Sequence, residues 1–143
     1  TKLDKDTVYN EVFLDKQNLE RMFDCQITGM AYPYGTYNDE VVQILKKCKI
    51  QYARSVVFSG AFKLQKNLLI FKPTCHHADE NIWELLEKFL KEKSEEKQLF
   101  YIWGHSYEFD VNNNWKRMEE ILDRLIGHNN IFYGTNREVL LPC

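Results

Sequence analysis

The sequence predicts an α/β domain in which short parallel strands alternate with amphipathic helices. Apolar runs short enough for buried strands, such as residues 27–32 and 99–103, are separated by helices of about 10 to 16 residues. The length of 143 residues corresponds to one domain. A doubly wound sheet and a piece of a βα barrel both fit this alternation. In either architecture the ligand site lies at the carboxyl ends of the strands.

The spacing of apolar residues places each element. Helices are predicted over residues 7–23, from a cap at Asn38 to Cys48, from a cap at Asp79 to Lys93, and from residues 112–114 to Gly127. Strands are predicted at residues 27–32, 51–58, 68–71, 99–103 and 130–133. The Pro33–Gly35 segment is predicted to be the turn that ends the first strand.

Composition and missing motifs exclude several function classes. Lys and Arg number 19 against 21 Asp and Glu, a net charge of −2, so the chain has no basic field for nucleic acid or anionic lipid. No apolar run approaches the roughly 18–20 residues of a membrane span. Nucleotide-binding glycine motifs and the G-x-S-x-G elbow of serine hydrolases are absent. The four cysteines are widely spaced, which favours free thiols, with Cys48 buried.

Eight side chains at or near the predicted strand ends are the candidates for a functional site. They are Tyr32 and Tyr34 after the first strand, Arg54 in the second, His76 and His77 before the third helix, and His105, Tyr107 and Glu108 after the fourth strand.

His105 follows the most apolar of the predicted strands. An imidazole at the carboxyl end of a strand titrates near neutral pH and can serve as a general acid or base. The alternative is a histidine that is hydrogen-bonded into its loop. The strand context favours the catalytic interpretation.

The His76-His77 pair invites a metal interpretation, since imidazole is the commonest metal-binding side chain. Adjacent residues of a strand point to opposite faces, so only one of the two is expected to act together with His105. A catalytic metal needs about three protein ligands. We therefore expect no metal site in this chain, and a polar loop is the simpler interpretation of the pair.

Arg54 lies in an otherwise apolar strand, where a charge needs a carboxylate or a ligand anion as a partner. Glu108, or a residue outside this chain, is a conceivable partner. A structural ion pair and a role in the site have similar weight. Tyr34 lies in a turn whose backbone N–H group is able to face a substrate oxygen.

Taken together, five stretches of the sequence resemble the polysaccharide deacetylases of the NodB-homology type (carbohydrate esterase family 4). They are G-M-A-Y-P-Y-G at residues 29–35, Y-A-R-S at 52–55, P-T-C-H-H at 73–77, Y-I-W-G-H-S-Y-E-F at 101–109 and N-N-W at 113–115. Their order and spacing resemble a bacterial branch of the family over nearly the whole chain.

The resemblance implies a deformed (β/α) barrel that removes acetyl groups from N-acetylated sugars. In that family a divalent metal, usually zinc, is held by one Asp and two His, a second Asp acts as base, and a late His acts as acid. By position, His105 matches the late acid and Tyr34 matches the oxyanion donor of the turn. Metal-activated water then attacks the amide carbonyl while His105 protonates the departing nitrogen.

The chain departs from the family pattern at several places. The T-F-D-D and H-x-x-x-H stretches that carry the metal ligands do not occur in the sequence, and the Arg usually found two residues before the turn Pro is Ala31. Arg54 is a candidate substitute for that charge. The aspartate-rich motif after the second strand is replaced by residues 55–60.

These departures predict that residues 1–143 are the carboxyl-terminal portion of a deacetylase-like domain, a partial (β/α) barrel that is inactive by itself. No cofactor is expected in this chain, whereas the intact parent is expected to hold a divalent metal, usually zinc. The expected partner is an N-acetylated glycan, with no nucleic acid and no membrane span. An open barrel edge predicts self-association.

The alternative is a non-catalytic carbohydrate-binding or assembly module that kept the fold and lost the metal. Aromatic side chains such as Tyr34 and Tyr107 would then stack on sugar rings, whereas Trp103 and Trp115 fit core packing better. Any export signal would precede Thr1, so the sequence is compatible with a cytoplasmic location, with the bacterial cell surface and with secretion.

Overall fold

The computed structural model describes residues 2–141 of the chain. Within them the chain forms two compact units. Among the described residues, one unit comprises residues 2–57, 65–72 and 134–141, and the other comprises residues 58–64 and 73–133. None of the described helices is both long and apolar enough to cross a membrane.

The first unit packs helices against a pair of parallel strands. Its elements are helix α1 (Lys5–Phe23), strand β1 (Gly29–Ala31), helix α2 (Asp39–Lys47), strand β2 (Tyr52–Arg54) and a short carboxyl-terminal helix (Asn136–Leu140). Met30 of β1 lies opposite Ala53 of β2 in a parallel register. The apolar face of α2 is buried in the core, through Val41, Val42, Ile44 and Leu45, which confirms the predicted inward face of this helix.

Side-chain caps fix where the first two helices begin. Asp4 accepts a hydrogen bond from the backbone N–H of Thr7 at 2.9 Å, and Asn38 accepts one from the N–H of Val41 at the same distance. Such caps satisfy donors that have no partner within the helix. The cap predicted at Asn38 is therefore confirmed.

The second unit has a similar strand pair. It contains strand β3 (Cys75–His76), helix α3 (Ile82–Lys91), strand β4 (Ile102–Trp103), helix α4 (Ser106–Val111) and helix α5 (Trp115–Leu125). The strands are parallel, with Cys75 opposite Ile102 and His76 opposite Trp103. Cys75, Ile82, Leu86 and Ile121 are fully buried between the strands and the two longer helices.

Two predicted strands are wrong. Leu68–Ile70 is a 3₁₀ turn, because the Asn67 side chain accepts from the Leu69 N–H group and curls the segment. Phe71 alone forms a bridge, with Arg54. Residues 130–133 form neither helix nor strand, although apolar Ile131, Phe132 and Tyr133 mimic a strand pattern.

The predicted cap at Asp79 is wrong, because the N-cap is Asn81 and helix α3 begins at Ile82, two residues later than predicted. The Asp79 carboxylate instead accepts from the N–H of Asn81 at 2.8 Å, which forms a turn ahead of the helix. Helix α4 and the helix over Asn136–Leu140 were not predicted. Both are too short to display an amphipathic period, although in each the glutamate at the third helical position accepts from the backbone N–H of the N-cap.

The α/β class and the parallel strand direction are confirmed. The described strands form two separate two-stranded sheets, and no closed barrel appears among residues 2–141. Of the cysteines, Cys48 and Cys75 are buried thiols and Cys25 is an exposed one. The prediction that Cys48 is buried is confirmed, whereas Cys143 lies outside the described residues.

Candidate functional site

The second unit gathers three histidines around one carboxylate. The Oε2 atom of Glu108 lies 2.6 Å from Nε2 of His77 and 3.2 Å from Nε2 of His76. Its Oε1 atom lies 3.3 Å from Nδ1 of His105. Four of the eight residues selected from the sequence therefore form one cluster, which we call the His–Glu cluster (His76, His77, His105 and Glu108).

The parallel strand pair brings these residues together. His76 ends β3 and lies opposite Trp103, the last residue of β4. The backbone N–H of His77 donates to the Trp103 carbonyl at 2.9 Å, so the segments that leave the two strands stay side by side. His105 then becomes the N-cap of helix α4, and Glu108 is the third residue of that helix. The Glu108 carboxylate accepts from the backbone N–H of His105 at 3.1 Å, and this contact places the carboxylate beside the imidazole.

His76 and His77 do not diverge as the alternation of a strand predicts. Their ring centroids are 4.3 Å apart and both rings reach Glu108. The physical reason is that β3 ends at His76, so His77 lies in the following turn and escapes the strand's alternation. The expectation that only one of the two can act with His105 assumed that their side chains point to opposite faces. That assumption is wrong, because both rings contact Glu108.

His77 is held rigidly. Its side chain is only 1% exposed, and its ring packs on Phe109 with centroids 4.2 Å apart. The Arg117 guanidinium donates to the carbonyls of His77 at 3.0 Å and Asp79 at 2.7 Å, which fixes the backbone of this turn. A buried imidazole on a fixed backbone has little freedom to turn away from Glu108.

Gly104 allows the close approach of the two strand ends. A Cβ atom added at Gly104 would lie 1.9 Å from Cδ2 of His77. Any other residue at this position would push the His77 ring away from Glu108. The glycine before His105 is therefore required by the packing of the His77 ring.

The electrostatics of the cluster favour an ionised carboxylate and a neutral His76. Burial raises the pKa of Glu108, but hydrogen bonds from His77 and His105 outweigh it and hold the pKa at about 2. Burial, reinforced by the neighbouring His77, lowers the pKa of His76 below its ordinary value. Glu108 is therefore an anion and a hydrogen-bond acceptor at neutral pH.

His105 is the accessible member of the cluster. Its side chain is 51% exposed, and its backbone N–H donates to Oε2 of Glu108 at 3.1 Å. Tyr107, 61% exposed, places its ring 5.3 Å from the imidazole. An exposed imidazole can exchange a proton with a bound ligand, and the exposed aromatic ring beside it can pack against that ligand.

The donor set of the cluster does not fit a divalent metal as it stands. One ligand atom each from His76, His105 and Glu108 lies within 4.8 Å of the others. However, Nδ1 of His76 accepts a hydrogen bond from the backbone N–H of Ala78 at 3.1 Å, so the neutral ring carries its proton on Nε2, facing Glu108. An N–H group offers no lone pair to a metal ion. The absence of a metal in this chain remains a prediction.

The other candidates lie in the first unit. Tyr34 occupies the predicted turn with φ of 54° and is 95% exposed, while the hydrogen bonds of the turn use the N–H groups of Gly35 and Thr36. Tyr32 is 4% exposed, and its hydroxyl donates to the Leu69 carbonyl at 2.6 Å. Arg54 is half-buried in β2 and donates to the Ser55 carbonyl at 3.2 Å.

Two contributors to the site were missed in the sequence. Arg117 lies on the amphipathic helix α5, where a single arginine is typical of the solvent-facing side. The local sequence therefore does not predict its hydrogen bond to the His77 carbonyl. Ala78 contributes only its N–H group. The core packing expected for Trp115 is wrong, because this residue is 47% exposed, although its ring stacks on Phe109 with centroids 4.8 Å apart.

A protein-family model described as polysaccharide deacetylase matches residues 1–53 of the chain. The match includes the Pro33–Gly35 turn and reaches into β2, whereas the His–Glu cluster lies beyond it. No curated protein and no solved structure matches the chain. The match confirms, over the first 53 residues, the resemblance to the polysaccharide deacetylases.

Proposed function

We propose that residues 1–143 are the carboxyl-terminal portion of a NodB-type polysaccharide deacetylase, a partial (β/α) barrel whose parent hydrolyses the acetamide groups of an N-acetylated glycan. Two observations support this proposal. The family match covers the turn that carries Tyr34, and the second unit holds an exposed imidazole, His105, paired with an ionised carboxylate. The second observation carries the chemical part of the proposal.

His105 is the general acid in this proposal. Hydrolysis of an acetamide adds water to the carbonyl carbon, breaks the C–N bond and releases acetate and an amine. The departing nitrogen needs a proton, and the exposed edge of the His105 ring supplies it. The Oε1 atom of Glu108 lies 3.3 Å from Nδ1 of the same ring, so the carboxylate contacts the ring nitrogen that does not face substrate.

The remaining candidates have supporting roles in the proposal. The backbone N–H of Tyr34 stabilises the oxyanion, and Arg54 supplies the positive charge that Ala31 does not. Tyr107 packs against a sugar ring, and its exposure supports this role. Tyr32, His76 and His77 remain candidate substrate contacts in the proposal, although Tyr32 and His77 are buried.

The divalent metal of the parent, expected to be zinc, is proposed to be held outside this chain. The T-F-D-D and H-x-x-x-H stretches are absent from the printed sequence, and the His–Glu cluster is occupied by its own hydrogen bonds. Residues 1–143 alone are therefore proposed to be inactive. The open strand pairs and exposed apolar side chains such as Val111 and Ile126 support self-association of the isolated chain.

The second candidate function is a carbohydrate-binding module without catalysis. The exposure of Tyr107 (61%) and Trp115 (47%) favours it, because exposed aromatic rings are the common platforms for sugars. This candidate predicts binding without any release of acetate.

Acetate release from oligomers of N-acetylglucosamine separates the two. The assay compares residues 1–143 with a polypeptide that also carries the residues encoded before Thr1, each with and without added zinc. The proposal predicts zinc-dependent acetate release by the longer chain only. Sugar binding by both chains with no acetate from either would establish the binding module and overturn the deacetylase.

A further inference from the structure

We infer that Glu108 is a positioning residue for His105, which fixes the ring proton on Nδ1 and thereby leaves Nε2 as the atom that exchanges a proton with substrate. This inference rests on the proposed function, because it names the residue that prepares the proposed acid. It gives Glu108 a different role from the substrate contact expected from the sequence.

The first step is the geometry of the carboxylate. Glu108 contacts His105 twice: the backbone N–H donates to Oε2 at 3.1 Å, and Nδ1 lies 3.3 Å from Oε1. An ionised carboxylate is only an acceptor, so a hydrogen bond at Nδ1 requires that the proton be on Nδ1. The neutral ring then has its lone pair on Nε2.

The second step is that the carboxylate itself cannot rotate freely. Its Oε2 atom faces Nε2 of His77 at 2.6 Å and Nε2 of His76 at 3.2 Å. His76 must donate there, because its Nδ1 atom already accepts from the Ala78 N–H group. Two imidazole groups thus hold one oxygen of Glu108 while the other oxygen faces His105.

The third step is that the anchor is buried and the acid is exposed. His77 is 1% exposed and its carbonyl is bound by Arg117, so the fixed end of the cluster lies inside the second unit. His105, 51% exposed, is at the solvent end. A rigid inner group, a carboxylate and an outer imidazole form an ordered chain of contacts that orients the outer ring.

The charges around Glu108 are consistent with a permanent anion. The groups that face it are the three imidazoles, and helix α4 adds its N-terminal backbone donors. Asp110, on the same helix, is bound by the indole N–H of Trp115 at 2.7 Å and thus faces a different partner. The carboxylate therefore remains available to orient His105 throughout the neutral pH range.

The direct test is the ring tautomer of His105, measured by nitrogen-15 NMR on residues 1–143 and assigned by the resonances that vanish in His105→Ala. We expect the Nδ1–H tautomer in the unmodified chain. Glu108→Met keeps the side-chain length, removes both acceptors and should abolish this preference. Glu108→Gln keeps one acceptor oxygen and should retain part of the preference for the Nδ1–H tautomer. Glu119→Gln, on the exposed face of α5, is the matched control and should change nothing.

A tautomer that is unchanged in a folded Glu108→Met variant would overturn the inference. If that variant does not fold, Glu108→Gln provides the test. A ratio of His105 tautomers equal to that of the unmodified chain would contradict the predicted partial loss of the Nδ1–H form and overturn the inference. In the longer, zinc-loaded chain, Glu108→Met should lower kcat about 10-fold or more with KM nearly unchanged. If His105→Ala leaves kcat unaltered, the proposed function fails, whatever the tautomer experiment shows.

Discussion

The Nε2 atom of His77 lies 2.6 Å from Oε2 of Glu108, and the His77 side chain is almost completely buried. This contact is the centre of the candidate site, because every other member of the His–Glu cluster touches the same carboxylate. It also explains why sequence positions 29 residues apart, His76 and His105, take part in one network: β3 and β4 end side by side.

Substitution of Gly104 should disturb this contact directly. Gly104→Ala places a methyl group where the His77 ring lies, since the added Cβ would be 1.9 Å from Cδ2. We expect the free energy of unfolding to fall by about 1–3 kcal/mol, the usual cost of overpacking. Gly127→Ala is the control, because its Cβ meets nothing within 4 Å and only its positive φ is unfavourable. Urea denaturation of both variants checks the difference, and equal losses would contradict the packing argument.

Stability should depend on pH through Glu108 and His76. The pKa of Glu108 is about 2 in the fold against an ordinary 4.5, so its contribution is complete above pH 4.5 and is lost as the pH falls toward 2. The pKa of His76 is lowered below 6.5, because burial favours its neutral form. Its protonation in the unfolded chain therefore also reduces stability as the pH falls below 6.5.

Melting temperatures measured from pH 7 to pH 3 test this expectation. The unmodified chain should lose stability steadily on acidification. Glu108→Gln should be less stable at pH 7 and should lose less between pH 5 and pH 3, whereas Glu119→Gln should follow the unmodified chain. A curve for Glu108→Gln that parallels the unmodified one would show that this carboxylate does not carry the dependence.

Tyr32 is expected to act as a core residue. Tyr32→Phe removes the donor to the Leu69 carbonyl and leaves that oxygen buried without it, which costs about 1–3 kcal/mol of the free energy of unfolding. Tyr34→Phe is the matched control, because Tyr34 is 95% exposed. The loss of its hydroxyl should change the free energy of unfolding by less than about 0.5 kcal/mol. A stable Tyr32→Phe variant with a raised KM in the longer chain would instead place the hydroxyl against substrate.

Arg54 is expected to matter for turnover. In the longer chain, Arg54→Ala should reduce kcat/KM by about 10- to 100-fold, since a misplaced partner group in the site has an effect of this size. Lys63→Ala removes an exposed ion pair with Glu96 at 3.6 Å and should have almost no effect. Equal turnover and equal melting temperatures of the two variants would contradict the assignment of Arg54 to the site.

The sequence was informative where one element has a strong local signal. The nine residues of α2 carry a cap at Asn38 and four buried apolar side chains, so both its start and its inward face could be predicted. The 3₁₀ turn at Leu68–Ile70 could not, because its apolar residues are the same ones a strand would use. The Asn67 side chain decided the conformation through a single contact.

The sequence identified the residues of the His–Glu cluster, but it did not predict how they contact one another. The rule that parallel strands end at one edge selected His76, His77, His105 and Glu108. It gave no indication that His77 would be buried or that one carboxylate would contact all three imidazoles, because those facts depend on β3 ending after two residues and on helix α4 starting at Ser106. Both are short elements whose limits are set by tertiary contacts.

The turnover of His105→Ala in the longer, zinc-loaded chain tests the central claim most directly. The account predicts a loss of about 10²–10⁴-fold in kcat, the contribution of a positioned proton donor, with the melting temperature and the zinc content unchanged. His128→Ala, which removes an imidazole that contacts the Arg124 carbonyl near the end of α5, should retain full activity. An unchanged turnover in His105→Ala, or a loss accompanied by loss of the metal, would contradict the assignment of His105 as the general acid.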